Sequence, residues 1–117
     1  MFLGVACVLA QEADSHVGLA QDIMSLLRET DACLAGCTDS ASCAAAEAKL
    51  RELARQTEDL TARQAQLPDP TVQDYMAVQN LGKEFMTLER SIREHLKRLE
   101  QAGLLTPGFR KILVLPE

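Results

Sequence analysis

The tightest grouping of chemically capable residues in this chain is the stretch CLAGCTDSASC, which holds Cys33, Cys37 and Cys43. Three thiols so close together suggest a metal site, a redox centre or a covalent staple. Zinc takes four ligands, usually from CxxC pairs or from Cys together with His, and no His lies near these cysteines. The CxxC redox motif and the CxxCH haem-attachment motif are both absent. Three thiolates do match the donors a soft monovalent copper ion prefers, so Cys33, Cys37 and Cys43 stand as the metal alternative. A staple asks less of the sequence. If the chain turns near Thr38–Asp39, Cys33 comes level with Cys43; if it turns nearer Ser40, Cys37 does. The expected disulfide is Cys33–Cys43, with Cys37 as the alternative partner. Cys33–Cys37 is disfavoured, because positions i and i+4 of one helix hold the Cβ atoms too far apart. In the chain-entropy model such a short loop stabilises the fold by ~2–3 kcal/mol.

Outside the cysteines the chemistry thins out. His95 falls on an apolar stripe, where one hydrogen bond would satisfy it. Paired with Met24 it resembles the Met and His axial ligands of small exported haem bundles, which makes Met24 and His95 the ligand alternative. His16 lies near the N-terminus and is expected to be exposed. Glu84, Glu89 and Glu94 do not follow the Glu-x-x-His spacing of di-iron bundles. Glu94 and His95 are adjacent, so on a helix they point to different faces. There is no glycine-rich phosphate loop and no nucleophile elbow. Met24, Met76 and Met86 read as core filler, and Tyr75 with Met76 as packing beneath the Pro68–Pro70 turn. The expectation is a non-enzyme with no cofactor.

The elements that position these residues are helices. Apolar residues make up 47% of the 117 but aromatics only 3%, so the core is aliphatic. Turn signals sit at TDSAS (38–42), LPDPT (67–71) and Gly103 with Thr106-Pro107-Gly108. Between them the 3–4 spacing predicts three long helices. The first runs from about Asp14 to Cys37, with Asp14 or Ser15 as cap. The second runs from about Ser40 to Gln66 behind the Asp39 cap, with a heptad-like seam through Cys43, Ala46, Leu50, Leu53, Thr57 and Leu60. The third runs from Pro70 to Ala102 behind Asp69, along Val78, Leu81, Phe85, Leu88, Ile92, His95 and Leu99. Thr106 and Pro107 open a short C-terminal helix, or else KILVL is an extended tail. Short connections make neighbours antiparallel. The predicted fold is an all-α, up-down-up three-helix bundle with a short C-terminal helix or tail.

Composition narrows the function classes. The net charge is −5 with mixed signs, and no basic patch alternates with aromatics, so nucleic acid is a poor partner. No apolar run approaches the ~20 residues of a transmembrane helix. MFLGVACVLA is a short apolar run followed at once by polar QEADSH. Val8 and Ala10 occupy the −3 and −1 positions of a small-residue cleavage site before Gln11, which reads as the end of a secretory signal. Residues 1–10 are then a signal remnant and 11–117 a single helical domain. A lipobox around Cys7 fits less well, since Gly4 stands where Leu is wanted. An exported chain would oxidise a suitably placed pair of cysteines.

The stretch TDSASCAAAEAKLRELARQTEDL, followed by LPDPT and a long charged helix, resembles a group of short secreted bacterial helical proteins. The resemblance covers most of residues 19–102. It implies an exported all-helical fold and supplies no functional residues. The cluster Cys33, Cys37 and Cys43 departs from that pattern. Taken together, the residues lead to the expectation of an exported, periplasmic or secreted bundle. It would act through protein–protein contacts or self-association. A small-ligand, metal or haem-binding bundle is the alternative.

Overall fold

A computed structural model describes residues 14–113, all of whose regular structure is helical. The expected signal remnant, Cys7 and the last four residues lie outside the described residues. Five helices follow in order: α1 (His16–Ala35), α2 (Ser40–Ala65), α3 (Val72–Gln79), α4 (Gly82–Gln101) and α5 (Pro107–Ile112). No helix among them is long and apolar enough to cross a membrane.

The helix ends follow local side-chain chemistry. Ser15 caps α1, its Oγ accepting from the Gly18 N–H at 2.9 Å. Asp14, the other candidate, pairs instead with Arg63 of α2. Asp39 opens α2 with a reciprocal capping box. The Ser42 N–H donates to Asp39 Oδ1 at 2.8 Å, and the Asp39 N–H donates to Ser42 Oγ at 3.0 Å. The end of α4 is a Schellman stop. Gly103 takes φ 72°, its N–H donates to the Glu100 carbonyl at 3.1 Å, and the Leu104 N–H donates to the Leu99 carbonyl at 2.9 Å. Leu104 packs against the core that contains Leu99, completing the hydrophobic contact of that motif. Thr106 caps α5 and Pro107 takes its first position, so the extended alternative does not hold for residues 107–112.

The third predicted helix differs. It starts at Val72, capped by Thr71 with Asp74 as reciprocal partner, and not at Pro70 behind Asp69. It is also two helices. Asn80, Leu81 and Gly82 interrupt it, and the Leu81 N–H reaches back to the Val78 carbonyl in a tight turn. Asn and Gly are weak helix formers, and no side chain caps the new start. The apolar periodicity runs unbroken through this point, which is why it reads as continuous in sequence.

Packing is centred on α1. It meets α2 on one side and α3 and α4 on another, while α5 packs on α2. The core takes Leu19, Leu26 and Leu34 from α1 and Leu50, Leu53 and Leu60 from α2. Cys37, Cys43, Leu99 and Phe109 close it at the α1–α2 elbow. The molecule is spread out, 47 × 35 × 22 Å with a radius of gyration of 16.6 Å. A compact chain of 100 residues has a radius of about 13 Å. A spread arrangement of amphipathic helices leaves apolar surface uncovered, and it is uncovered on α3 and the start of α4.

Candidate functional site

Among the described residues six large apolar side chains are exposed: Val72 (74%), Tyr75, Met76 (62%), Val78, Phe85 and Met86 (63%). All come from α3 and the start of α4. Tyr75, Val78 and Phe85 form one wall of a trough of about 370 Å³, with Ala20, Ile23 and Met24 of α1 opposite and Gln64 and Gln79 also lining it. The expected burial of Tyr75 and Met76 beneath the proline turn is therefore wrong, and Met86 is not core filler. The cause is the break at Asn80–Gly82: α3 is only two turns long and buries none of its residues. Of the expected methionine fillers, Met24 alone is buried, as the floor of the trough.

Ion pairs and hydrogen bonds flank this region. Arg28 of α1 pairs with Glu84 of α4. Arg63 pairs with Asp14, its Nε donating to Oδ2 at 3.1 Å, and this contact holds the Asp14 carboxyl below its ordinary range. His16 is half-buried and not simply exposed. Its Nε2–H donates to the Pro68 carbonyl at 2.7 Å, tying the start of α1 to the loop that leads into α3. Between Tyr75 and Gly82 the sequence YMAVQNLG carries no charged residue, in a chain that is 25% charged. That neutral run is the sequence signal of an uncharged surface. Helical periodicity alone reads it as core.

The cysteines gather at the other end. Cys37 and Cys43 are buried, Cys33 is half-buried, and all three are free thiols. Cys37 follows the Gly36 cap, so it has left the regular helix, and its Sγ donates to the Cys33 carbonyl at 3.5 Å. Cys33 sits a turn earlier and directs its Sγ to the Ala46 carbonyl at 3.5 Å. Burial, with Cys43 and Cys33 adding to it, pushes the Cys37 thiol up to about 12. Burial also raises Cys33, opposed by Lys49. Such thiols are poor nucleophiles. Among the described residues no three His, Cys, Asp or Glu side chains are grouped to hold a metal ion.

Met24 and His95 occupy different places. Met24 floors the trough, whereas His95 sits against Asp31, seven residues further along α1. Its Nε2 is 3.5 Å from Asp31 Oδ1 and its Nδ1 is 3.4 Å from Arg98 Nη2. Both ring nitrogens thus face partners within the protein. Glu84 is taken by Arg28, and Glu89 by Arg93.

No protein-family model, curated protein or solved structure matches the chain.

Proposed function

We propose that this is a non-enzymatic, exported helical protein that works through protein–protein contact, and that the face made by α3 and the start of α4 receives a second copy of the same chain. The observation that carries this reading is the exposed apolar set of Val72, Tyr75, Met76, Val78, Phe85 and Met86 beside an apolar trough. Large exposed patches of this kind mark interaction sites. The choice of a second copy rests on charge and shape. Each copy carries −5, yet residues 75–82 at the centre of this face are neutral, so closing the face on itself leaves the flanking charges of Asp74, Lys83 and Glu84 at its rim. One face also supplies both the projecting side chains and the trough, as a two-fold interface requires. Export is supported by the cleavage-site pattern before Gln11.

The up-down-up reading of α1, α2 and α4 belongs to the same proposal. Asp14 with Arg63, and Glu29 with Lys49, pair α1 and α2 in opposite order. Arg28 with Glu84, Asp31 with His95, and Leu34 with Arg98 pair α1 and α4 in the same order. A small apolar ligand in the trough is the second reading, because its volume lies within the range of small-molecule sites.

Sedimentation equilibrium across a concentration series tests the proposal. The wild type is expected to pass from monomer to dimer. The double variant Met76→Glu, Met86→Glu is expected to stay monomeric with an unchanged helical circular dichroism spectrum. A wild type that is monomeric at every concentration would overturn the second-copy reading. Bound small-molecule mass in the native protein would favour the ligand instead.

A further inference from the structure

Whatever fills the apolar trough, we infer that α3 is its movable wall, turning on a hinge at Asn80–Gly82, so that the angle between α3 and α4 sets the width of the trough. The joint is a weak point in an otherwise helical course. Asn80 has φ −64° and ψ −19°, and Leu81 has φ −88° and ψ −9°. A regular α-helix has φ of about −63° and ψ of about −42°, so closing the joint into one helix takes ψ changes of only about 20–35°. The Leu81 N–H donates to the Val78 carbonyl, three residues back, at 2.9 Å. The Phe85 N–H then donates to the Leu81 carbonyl at 2.9 Å, which restarts the four-residue ladder. A tight turn of this kind inside a helical course often marks a hinge. Nothing local locks the interrupted form. No side chain caps the restart. Gly82 does not take a positive φ, and a Cβ added to it would meet nothing within 4 Å.

The two sides of the joint are anchored unequally. α4 is fixed to α1 by the Arg28–Glu84 pair and by His95 against Asp31. Arg98 adds hydrogen bonds to the Leu34 and Cys37 carbonyls. α3 buries no residue, and the hydrogen bonds of its Asp74 carboxyl stay within the Thr71 cap. The next tie to α1 lies upstream of α3, where His16 meets the Pro68 carbonyl at 2.7 Å. Segments with so little buried are the ones that move at low free energy. The facing wall, Ala20, Ile23 and Met24, belongs to α1. With α4 held to α1, any change of angle at the joint therefore moves Tyr75, Val78 and Gln79 against that wall. The limiting arrangement is a single helix over residues 72–101, which the unbroken apolar periodicity already favours.

The test is residual dipolar coupling of the backbone amides in the full chain, which reads the orientation and order of each helix. Both chains compared carry Met76→Glu and Met86→Glu, so self-association through this face does not hold α3 in place. The second chain adds Asn80→Ala and Gly82→Ala, which favour the helix by roughly fivefold at the glycine alone. In the first chain the α3 amides are expected to give order parameters below about 0.6, while α4 stays near the rigid value of about 0.85. In the second, α3 should rise to the α4 value, and the couplings of residues 72–101 should fit one helix axis. Full order for α3 in the first chain would overturn the inference. So would reduced order that the alanines leave unchanged, since the motion would then lie elsewhere than the joint. Should the paired alanines disturb folding, Gly82→Ala alone gives the same comparison.

Discussion

Arg98 of α4 donates to the Cys37 carbonyl at 2.8 Å, and the same guanidinium donates to the Leu34 carbonyl at 3.0 Å. One cation from the end of α4 therefore closes carbonyls that α1 leaves open at its C-terminus. Its charge also sits where the helix dipole favours a cation. This is the clasp that holds α4 to the elbow, and the neighbouring Leu99 is completely buried there. Arg98→Met keeps most of the stem and removes the clasp. It is expected to lower stability by about 1–2 kcal/mol, the range for charge-assisted hydrogen bonds reduced for partial exposure. Urea unfolding of the two proteins measures it. An unchanged midpoint would mean that water replaces the guanidinium at no cost.

His95 supports Asp31, whose Oδ1 is buried without a hydrogen bond and has the His95 Nε2 as a neighbour 3.5 Å away. Replacing His95 by Leu fits the apolar stripe but leaves that oxygen facing hydrocarbon. The expected loss is up to about 1 kcal/mol, the value of a partly exposed ion-pair contact, because the oxygen already lacks a hydrogen bond. Asp31→Asn in the same background should recover part of it. No recovery in the double variant would show that the two side chains do not interact.

Acid is expected to lower the stability of the protein in a defined window. Arg63 holds Asp14 below its ordinary 3.8, and hydrogen bonds from Ser42 hold Asp39 below it. Hydrogen bonds from Thr71 act likewise on Asp74, and Arg55 takes Glu52 from 4.5 to about 2. Folded values below unfolded ones mean that this stabilisation is complete above the unfolded values. It is lost as pH falls through the folded ones. The urea midpoint should hold from neutral pH down to the ordinary carboxylate range and then fall toward pH 2. Asp39→Asn retains a capping oxygen that does not titrate. It should leave the neutral midpoint in place and make the acid limb shallower. An identical acid limb would remove the cap from the explanation.

Alkali acts through the opposite sign. In reduced protein the Cys37 thiol ionises near 12 when folded, against 9.0 ordinarily. Between these values the unfolded chain has lost a proton that the folded chain keeps, so stability falls as pH rises above 9.0. Cys37→Ala is expected to be less stable at neutral pH but to decline less steeply above 9.0. Parallel declines in urea midpoint would contradict this.

Helix identity and most helix ends were legible from local chemistry. The Asp39 cap, the Gly103 stop and the Thr106-Pro107 start each need only neighbours within four residues. The seam of α2 was legible too, since Cys43, Ala46, Leu50, Leu53 and Leu60 are all buried. What periodicity does not encode is whether a partner helix is present. Val78 and Phe85 sit on the same stripe as Leu99, yet only Leu99 is buried, because α1 and the elbow cover one end of α4 and little covers the other. The thiols show a similar limit. Levelling residues across an ideal hairpin sets Cys33 opposite Cys43, and it places the end of α1 at Cys37, whereas α1 ends at Ala35. That early end leaves Cys37 outside the regular helix, with its Sγ on the Cys33 carbonyl.

The most direct test of the self-association face is isotope-filtered NMR on an equal mixture of labelled and unlabelled chains. Contacts between the Met76 and Met86 methyl groups of one copy and the Tyr75 and Phe85 rings of the other are predicted. They should vanish on dilution and in the Met76→Glu, Met86→Glu variant. If every such contact is intramolecular at a concentration where sedimentation shows a dimer, the copies meet elsewhere. The apolar face of α3 and α4 would then not be the interface.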